Sequence, residues 1–310
     1  MKKLLLFFML LFLCGCTNSN LLEDNGKINV MTVNFPQYDF AREIAGENAN
    51  VKMLMPVGTE SHTFEPSPQD ILNIQNSDVF IYTGGESDSW VSDILASVDT
   101  KNMVIVKLMD ICNPQKEDKN SQDFEHHEHL EEYDEHLWTS PKNAKIIVEE
   151  YANVFSLVDA KNSESYKLNL EKYSKKLDDL DNKFLKIVNS SKRKTVVFGD
   201  RFPFLYFVKD YGLEYYRAFP GCSEQTEPNI KTVKFLIDKV KEEEIPVVFY
   251  IEFSNHKIAD EIAMETGAKS MLFHSCHNIT KDEFKAGISY IDIMEKNCNV
   301  LEEALNWWQF

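Results

Sequence analysis

The chain has 310 residues, with 50 acidic against 33 basic side chains and a net charge of −17. With 43% hydrophobic and 12% aromatic residues it is not a disordered chain. The acidic excess removes the counterion release on which nucleic-acid binding depends, so polyanions are excluded as partners and cations are favoured.

The first element is an address. Met1-Lys2-Lys3 precedes an apolar run from Leu4 to Leu13, then Cys14-Gly15-Cys16. A charged start and a short apolar stretch make a secretory signal, too short to cross a membrane as a helix. The segment Leu13-Cys14-Gly15-Cys16 resembles the bacterial lipobox, which predicts a signal peptide over 1–15 and lipid on Cys16. Loss of the leader's two lysines would take the net charge from −17 to −19. Residues 16–27 are mostly polar and read as a tether.

From residue 28 the apolar β-type runs Ile28 to Phe35, Val51 to Met55, Val79 to Thr83 and Val104 to Leu108 alternate with helical stretches. That rhythm predicts βα units and a mainly parallel sheet, an N-terminal α/β lobe over 28–160. Residues 116–135 interrupt it with nine acids, two Lys and the three histidines His126, His127 and His129, and read as a solvated loop. From Ser163 to Val188 the apolar residues Tyr166, Leu170, Tyr173, Leu177, Leu180, Phe184 and Val188 step by three or four. This spacing predicts one amphipathic helix of roughly 40 Å at ~1.5 Å per residue, long enough to tie two lobes together within 161–190. A second α/β lobe over 191–310 follows, with strands at Thr195 to Phe198, Val247 to Phe253 and Ser270 to Phe273. A helix start is expected near Glu227-Pro228, ahead of Ile230, Val233, Phe235 and Leu236.

Cysteine and histidine carry the candidate chemistry. Outside the cytoplasm Cys112, Cys222, Cys276 and Cys298 allow three disulfide pairings. Cys222 with Cys276 is favoured because both follow strand-like segments. Of eight histidines, His62 follows the strand near Met55, His136 lies in Asp134-Glu135-His136-Leu137-Trp138, and His274 and His277 bracket Ser275-Cys276 after the strand ending at Phe273. Loops at the carboxyl ends of parallel strands are where open α/β sheets bind ligands, so these imidazoles are metal-ligand candidates. His256 reads as a surface residue. The histidines of the acidic loop suit auxiliary metal capture.

Together the lipobox, the His62 segment with Glu65-Pro66-Ser67-Pro68, the His-rich insert, Asp134-Glu135-His136-Leu137-Trp138 and Tyr211-Gly212-Leu213 resemble the zinc- and manganese-binding lipoproteins of bacterial ABC importers, in order along nearly the whole mature chain. The resemblance implies two lobes, each a mainly parallel sheet flanked by helices, joined by one long rigid backbone helix, with metal in the cleft. It implies His62 and His136 as ligands and a third after the first strand of the second lobe. There the chain has Gly199-Asp200-Arg201. Alignment from the strand points to Asp200 and alignment back from Tyr211 to Arg201, and an Arg cannot bind a cation. The family's fourth ligand, usually a carboxylate, falls at Phe273-His274-Ser275-Cys276-His277, leaving His274 and His277 both open.

Three imidazoles and one oxygen suit tetrahedral zinc, whereas manganese, the alternative, prefers more oxygen ligands. Because imidazoles bind metal only when neutral, affinity is expected to fall below about pH 6. The implied activity is capture of a divalent ion by a lipid-anchored, extracytoplasmic, monomeric protein and delivery to an ABC permease at the membrane. A surface adhesin and a secreted zinc hydrolase are the competing classes. The hydrolase lacks the helical His-Glu-x-x-His motif and an identifiable base.

Overall fold

The computed structural model describes residues 25–59, 64–116, 133–219 and 229–306. The leader, Cys16, His62, His126, His127, His129 and Cys222 lie outside the described residues.

The first lobe runs β1 (Ile28–Thr32), α1 (Phe35–Ala45), β2 (Ala49–Met53), α2 (Pro68–Gln75), β3 (Val79–Tyr82), α3 (Trp90–Ser97), β4 (Val104–Lys107) and a single turn α4 (Leu108–Ile111). After the acidic insert come α5 (Pro141–Val158) and the long α6 (Ser163–Ser190). The second lobe runs β5 (Thr195–Phe198), α7 (Leu205–Tyr211), β6 (Glu214–Arg217), α8 (Ile230–Glu242), β7 (Val247–Tyr250), α9 (Lys257–Thr266), β8 (Lys269–Leu272), α10 (Lys281–Ala286) and α11 (Tyr290–Asn306). The two sheets have the same order, β2-β1-β3-β4 and β6-β5-β7-β8, and every pairing is parallel. The expected two-lobed α/β architecture is therefore present, with the connecting helix making nearly eight turns in its 28 residues.

The inner strands β1, β3, β5 and β7 are buried on both faces, and their side chains divide by the period of two. In β1 Val30 joins the large central core while Met31 joins a smaller one on the outer face. In β5 Val196 and Phe198 point to the central core and Val197 to the outer one, as do Val247 and Phe249 against Val248 in β7. The central core is continuous from one lobe to the other. It gathers the α6 stripe Tyr166, Tyr173, Leu177, Leu180, Phe184 and Val188 with residues of both lobes, so the lobes share packing rather than hanging on a linker. Leu170 is only half-buried at its edge.

Local signals set the element ends. Asn34 caps α1 in a capping box with Gln37, and Pro36 stands in its first turn. Ser140 caps α5 ahead of Pro141, and Gly212 closes α7 at φ 64, a conformation that glycine adopts without steric strain. The helix expected near Glu227-Pro228 starts at Ile230, where the Asn229 side chain accepts the Lys231 N–H. Strand β6, Glu214–Arg217, was not among the expected strands.

In both sheets the order reverses beside the first strand, so the crevice in which such sheets take ligands lies at the carboxyl ends of β1 and β3 in one lobe and of β5 and β7 in the other.

Candidate metal centre

The insert leaves and returns at one place: Lys116 and Tyr133 form an antiparallel bridge, and the Asp134 N–H bonds the Gln115 carbonyl at 2.9 Å. The chain then turns sharply through Leu137–Thr139 into α5, and this turn carries His136, 1% exposed. Asp134 Oδ1 accepts the His136 amide at 2.8 Å and lies 3.2 Å from ring Nδ1. A carboxylate at Nδ1 holds the proton there and leaves the lone pair on Nε2, the arrangement that supports an imidazole for metal binding. Tyr206 from α7 bonds the Asp134 carbonyl at 2.7 Å, so the second lobe braces this support.

His277 arrives from the other lobe. Its ring centroid lies 5.4 Å from that of His136 at 85°, and Trp138 stands 5.6 Å from His136 and 5.1 Å from His277 as a shared wall. The Trp138 indole N–H donates to the Ser275 carbonyl at 2.9 Å. Glu252, just after β7, holds the His277 turn from behind. Its carboxylate accepts the Ser275 N–H at 2.7 Å, the Ser275 hydroxyl at 2.5 Å and the His277 N–H at 3.1 Å. Glu252 is a residue that sequence reading passed over; its place at the end of a strand beside the order reversal was the available signal.

His274 is bound differently. Its amide and carbonyl are both held by the Asn297 side chain, at 2.9 and 2.8 Å, and its ring Nδ1 accepts the Cys276 N–H at 2.9 Å. Glu252 Oε2 is 3.4 Å from the same Nδ1. The backbone N–H is the shorter contact and can only donate, so Nδ1 carries the lone pair and Nε2 the proton. That tautomer offers no vacant lone pair to an ion.

Asp200 is 7% exposed, and both its oxygens hold backbone: Oδ1 accepts the Arg201 N–H at 2.8 Å and Oδ2 the Ile251 N–H at 3.3 Å, joining the ends of β5 and β7. Cys276, at φ 64, is fully buried with a free thiol, and burial raises its pKa well above the usual thiol range, which disfavours a thiolate ligand. Its candidate partner Cys222 lies outside the described residues. His256 pairs with Asp260 at 2.7 Å on the surface. Among the described residues, then, the structure brings His136 and His277 together, and no group of three His, Cys, Asp or Glu side chains gathers at a metal-binding distance.

Two α/β lobes of equal topology on a shared helical spine, with imidazoles from both facing one tryptophan, define the class of two-lobed binding proteins. The chain belongs to the ZnuA family, described as zinc-uptake complex component A, periplasmic, which matches residues 30–304. It is 31% identical over 310 residues to the zinc-binding lipoprotein AdcA of Streptococcus pneumoniae, covering 98% of this chain and 61% of AdcA. The high-affinity zinc uptake system protein ZnuA of Bacillus subtilis is also 31% identical, over 303 residues, with 96% of this chain and 94% of that protein covered. The chain thus spans about three-fifths of the AdcA relatives and nearly all of the Bacillus one. Among solved structures, the Zn(II)-bound ZnuA-like domain of S. pneumoniae AdcA superposes with a TM-score of 0.76 at 28% identity, covering 91% of this chain and all of that domain. The metal-dependent lipoprotein YcdH of B. subtilis gives 0.77 at 29% identity over 90% of this chain.

Proposed function

We propose that this chain is the metal-capturing component of a zinc importer: an extracytoplasmic protein, anchored by lipid on Cys16, that takes zinc into the cleft between its lobes and passes it to an ABC permease. The observation that carries this reading is the convergence of His136 and His277 from opposite lobes on Trp138, in a chain of the zinc-uptake family. The domain plan follows from it: signal 1–15, tether 16–27, lobe 28–160 with its capture loop 116–135, spine 161–190, lobe 191–310.

In this reading His62, His136 and His277 are the imidazole ligands and Asp200 supplies the oxygen, exchanging its longer hydrogen bond, 3.3 Å to the Ile251 N–H, for the ion. Such a set suits tetrahedral zinc over the more oxygen-rich coordination of manganese. His274, with Asn297 and Cys276, supports the turn that presents His277. The family is one of uptake-complex components, and we assign the chain no catalysis.

Zinc titration of the mature chain against a competing chelator tests the proposal. One tight ion per chain is expected, lost in His136→Ala. Tight binding that survives His136→Ala would reject the site.

A further inference from the structure

We infer that Asn278 is a positioning residue that clamps the first lobe's Pro56–Thr59 turn to the His277 turn of the second lobe and thereby sets how fast the bound ion leaves; the inference rests on the zinc-binding reading above. Asn278 is 1% exposed. Its Oδ1 accepts the Ile279 N–H at 2.9 Å, which fixes which end of the amide is oxygen, and its Nδ2 donates one hydrogen to the Pro56 carbonyl and the other to the Thr59 carbonyl, both at 2.9 Å. Both donors are thus spent across the boundary between lobes.

The receiving turn is built to meet them. The β2 strand continues against β1 through Leu54 and Met55, whose N–H groups bond the Thr32 and Val33 carbonyls at 2.8 and 3.0 Å. Gly58 then turns the chain at φ +82, and the Thr59 hydroxyl closes the turn on the Pro56 carbonyl at 2.7 Å. Besides the His277 ring contacts, the segment Ser275 to Asn278 is hydrogen-bonded to the first lobe through the Ser275 carbonyl, which accepts the Trp138 indole N–H, and the His277 carbonyl, which accepts the Phe35 N–H at 3.4 Å. Both of those use its backbone. Asn278 reaches over with a side chain that hydrogen-bonds the first lobe and is not itself a proposed ligand, so a substitution there loosens the first lobe while leaving the Glu252 support of His277 in place. An ion held by ligands from both lobes escapes when the lobes part, and two buried hydrogen bonds across that boundary resist parting.

The test is zinc dissociation from the mature chain, followed by stopped flow with a chromogenic chelator in excess. Asn278→Ala should raise the dissociation rate about tenfold, the scale of one to two net hydrogen bonds, with the association rate changed less than about threefold. Asn278→Asp should raise it further, because a carboxylate then faces two carbonyls. Gly58→Ala, on an exposed turn, strains the same contact from the other side and should give the same increase, with the double variant no faster than the faster single one. A merely damaged fold would lower the amplitude of the signal and leave the rate alone. Dissociation from Asn278→Ala and Gly58→Ala within about twofold of the parent overturns the inference. A parent chain that fails to hold zinc overturns instead the function on which it rests.

Discussion

The indole N–H of Trp138 in one lobe donates to the carbonyl of Ser275 in the other at 2.9 Å, and the hydroxyl of Tyr290 at the start of α11 returns a bond to the Trp138 carbonyl at 2.8 Å. One residue thus takes part in two buried bonds between its own lobe and the second, beside the two imidazoles that converge there. Replacing Trp138 by Phe keeps an aromatic face there but removes the donor and part of the buried ring volume. The stranded Ser275 carbonyl should lower the stability of the apo protein by about 1–3 kcal/mol, or roughly 2–4 °C in Tm per kcal/mol for a chain of this size. A Tm within about 1 °C of the parent by calorimetry would mean that the bond contributes nothing.

His274 and His277 should separate cleanly. His277→Ala removes a proposed ligand and should weaken zinc binding more than about tenfold, about 1.4 kcal/mol, with little effect on apo stability. His274→Ala removes the acceptor for the buried Cys276 N–H, so its larger effect should be on apo stability, about 1–3 kcal/mol in urea unfolding. Chelator competition and urea unfolding on the two variants side by side decide it, and the reverse ordering would exchange their roles.

That distinction was not legible in the sequence, for a physical reason. Both histidines follow the same strand, and what separates them is which ring nitrogen keeps the lone pair, set for His274 by the backbone N–H two residues on, while the Asn297 amide from α11 holds the His274 backbone. The long helix was legible because its apolar stripe repeats at the helical period, and Thr195–Phe198 because four β-type residues stand together. Strand β6 was missed since Glu214 and Arg217 bracket only two tyrosines, and its place at the sheet edge demands little burial. Asp200 could be placed after β5 from sequence, but its bond to the Ile251 amide depends on β7 lying alongside.

The acidic loop should be removable. Because Lys116 pairs with Tyr133, the ends of the insert already meet, and deleting residues 117–132 with a short glycine turn in their place need not move Asp134 or His136. The truncated chain should keep one tight zinc and lose weaker, salt-sensitive sites, since salt screens loosely held ions far more than an ion in a buried centre. Loss of the tight ion in a calorimetric titration would instead make the loop part of the main site.

Stability should fall between about pH 4 and pH 6 because of a carboxyl group far from the metal ligands in sequence. Asp39, on α1, is fully buried, pairs with Arg42 and accepts the Tyr290 N–H at 2.9 Å, which ties the first helix to the last. Burial pushes its pKa up from 3.8 to about 6, outweighing the lowering by Arg42 and by the backbone bond. Between those values the folded chain holds a proton that the unfolded chain has lost, so the slope of unfolding free energy against pH is negative there. Stability is fullest below about pH 4 as far as this group is concerned, and up to about 3 kcal/mol is lost as the pH passes 6. In Asp39→Asn that share of the slope disappears. The difference in urea-unfolding free energy between the parent and this variant should therefore shift in the variant's favour from pH 4 to pH 6.5, while histidine titrations common to both cancel. Parallel profiles over that range would show that Arg42 and the Tyr290 amide keep Asp39 ionised in the folded chain.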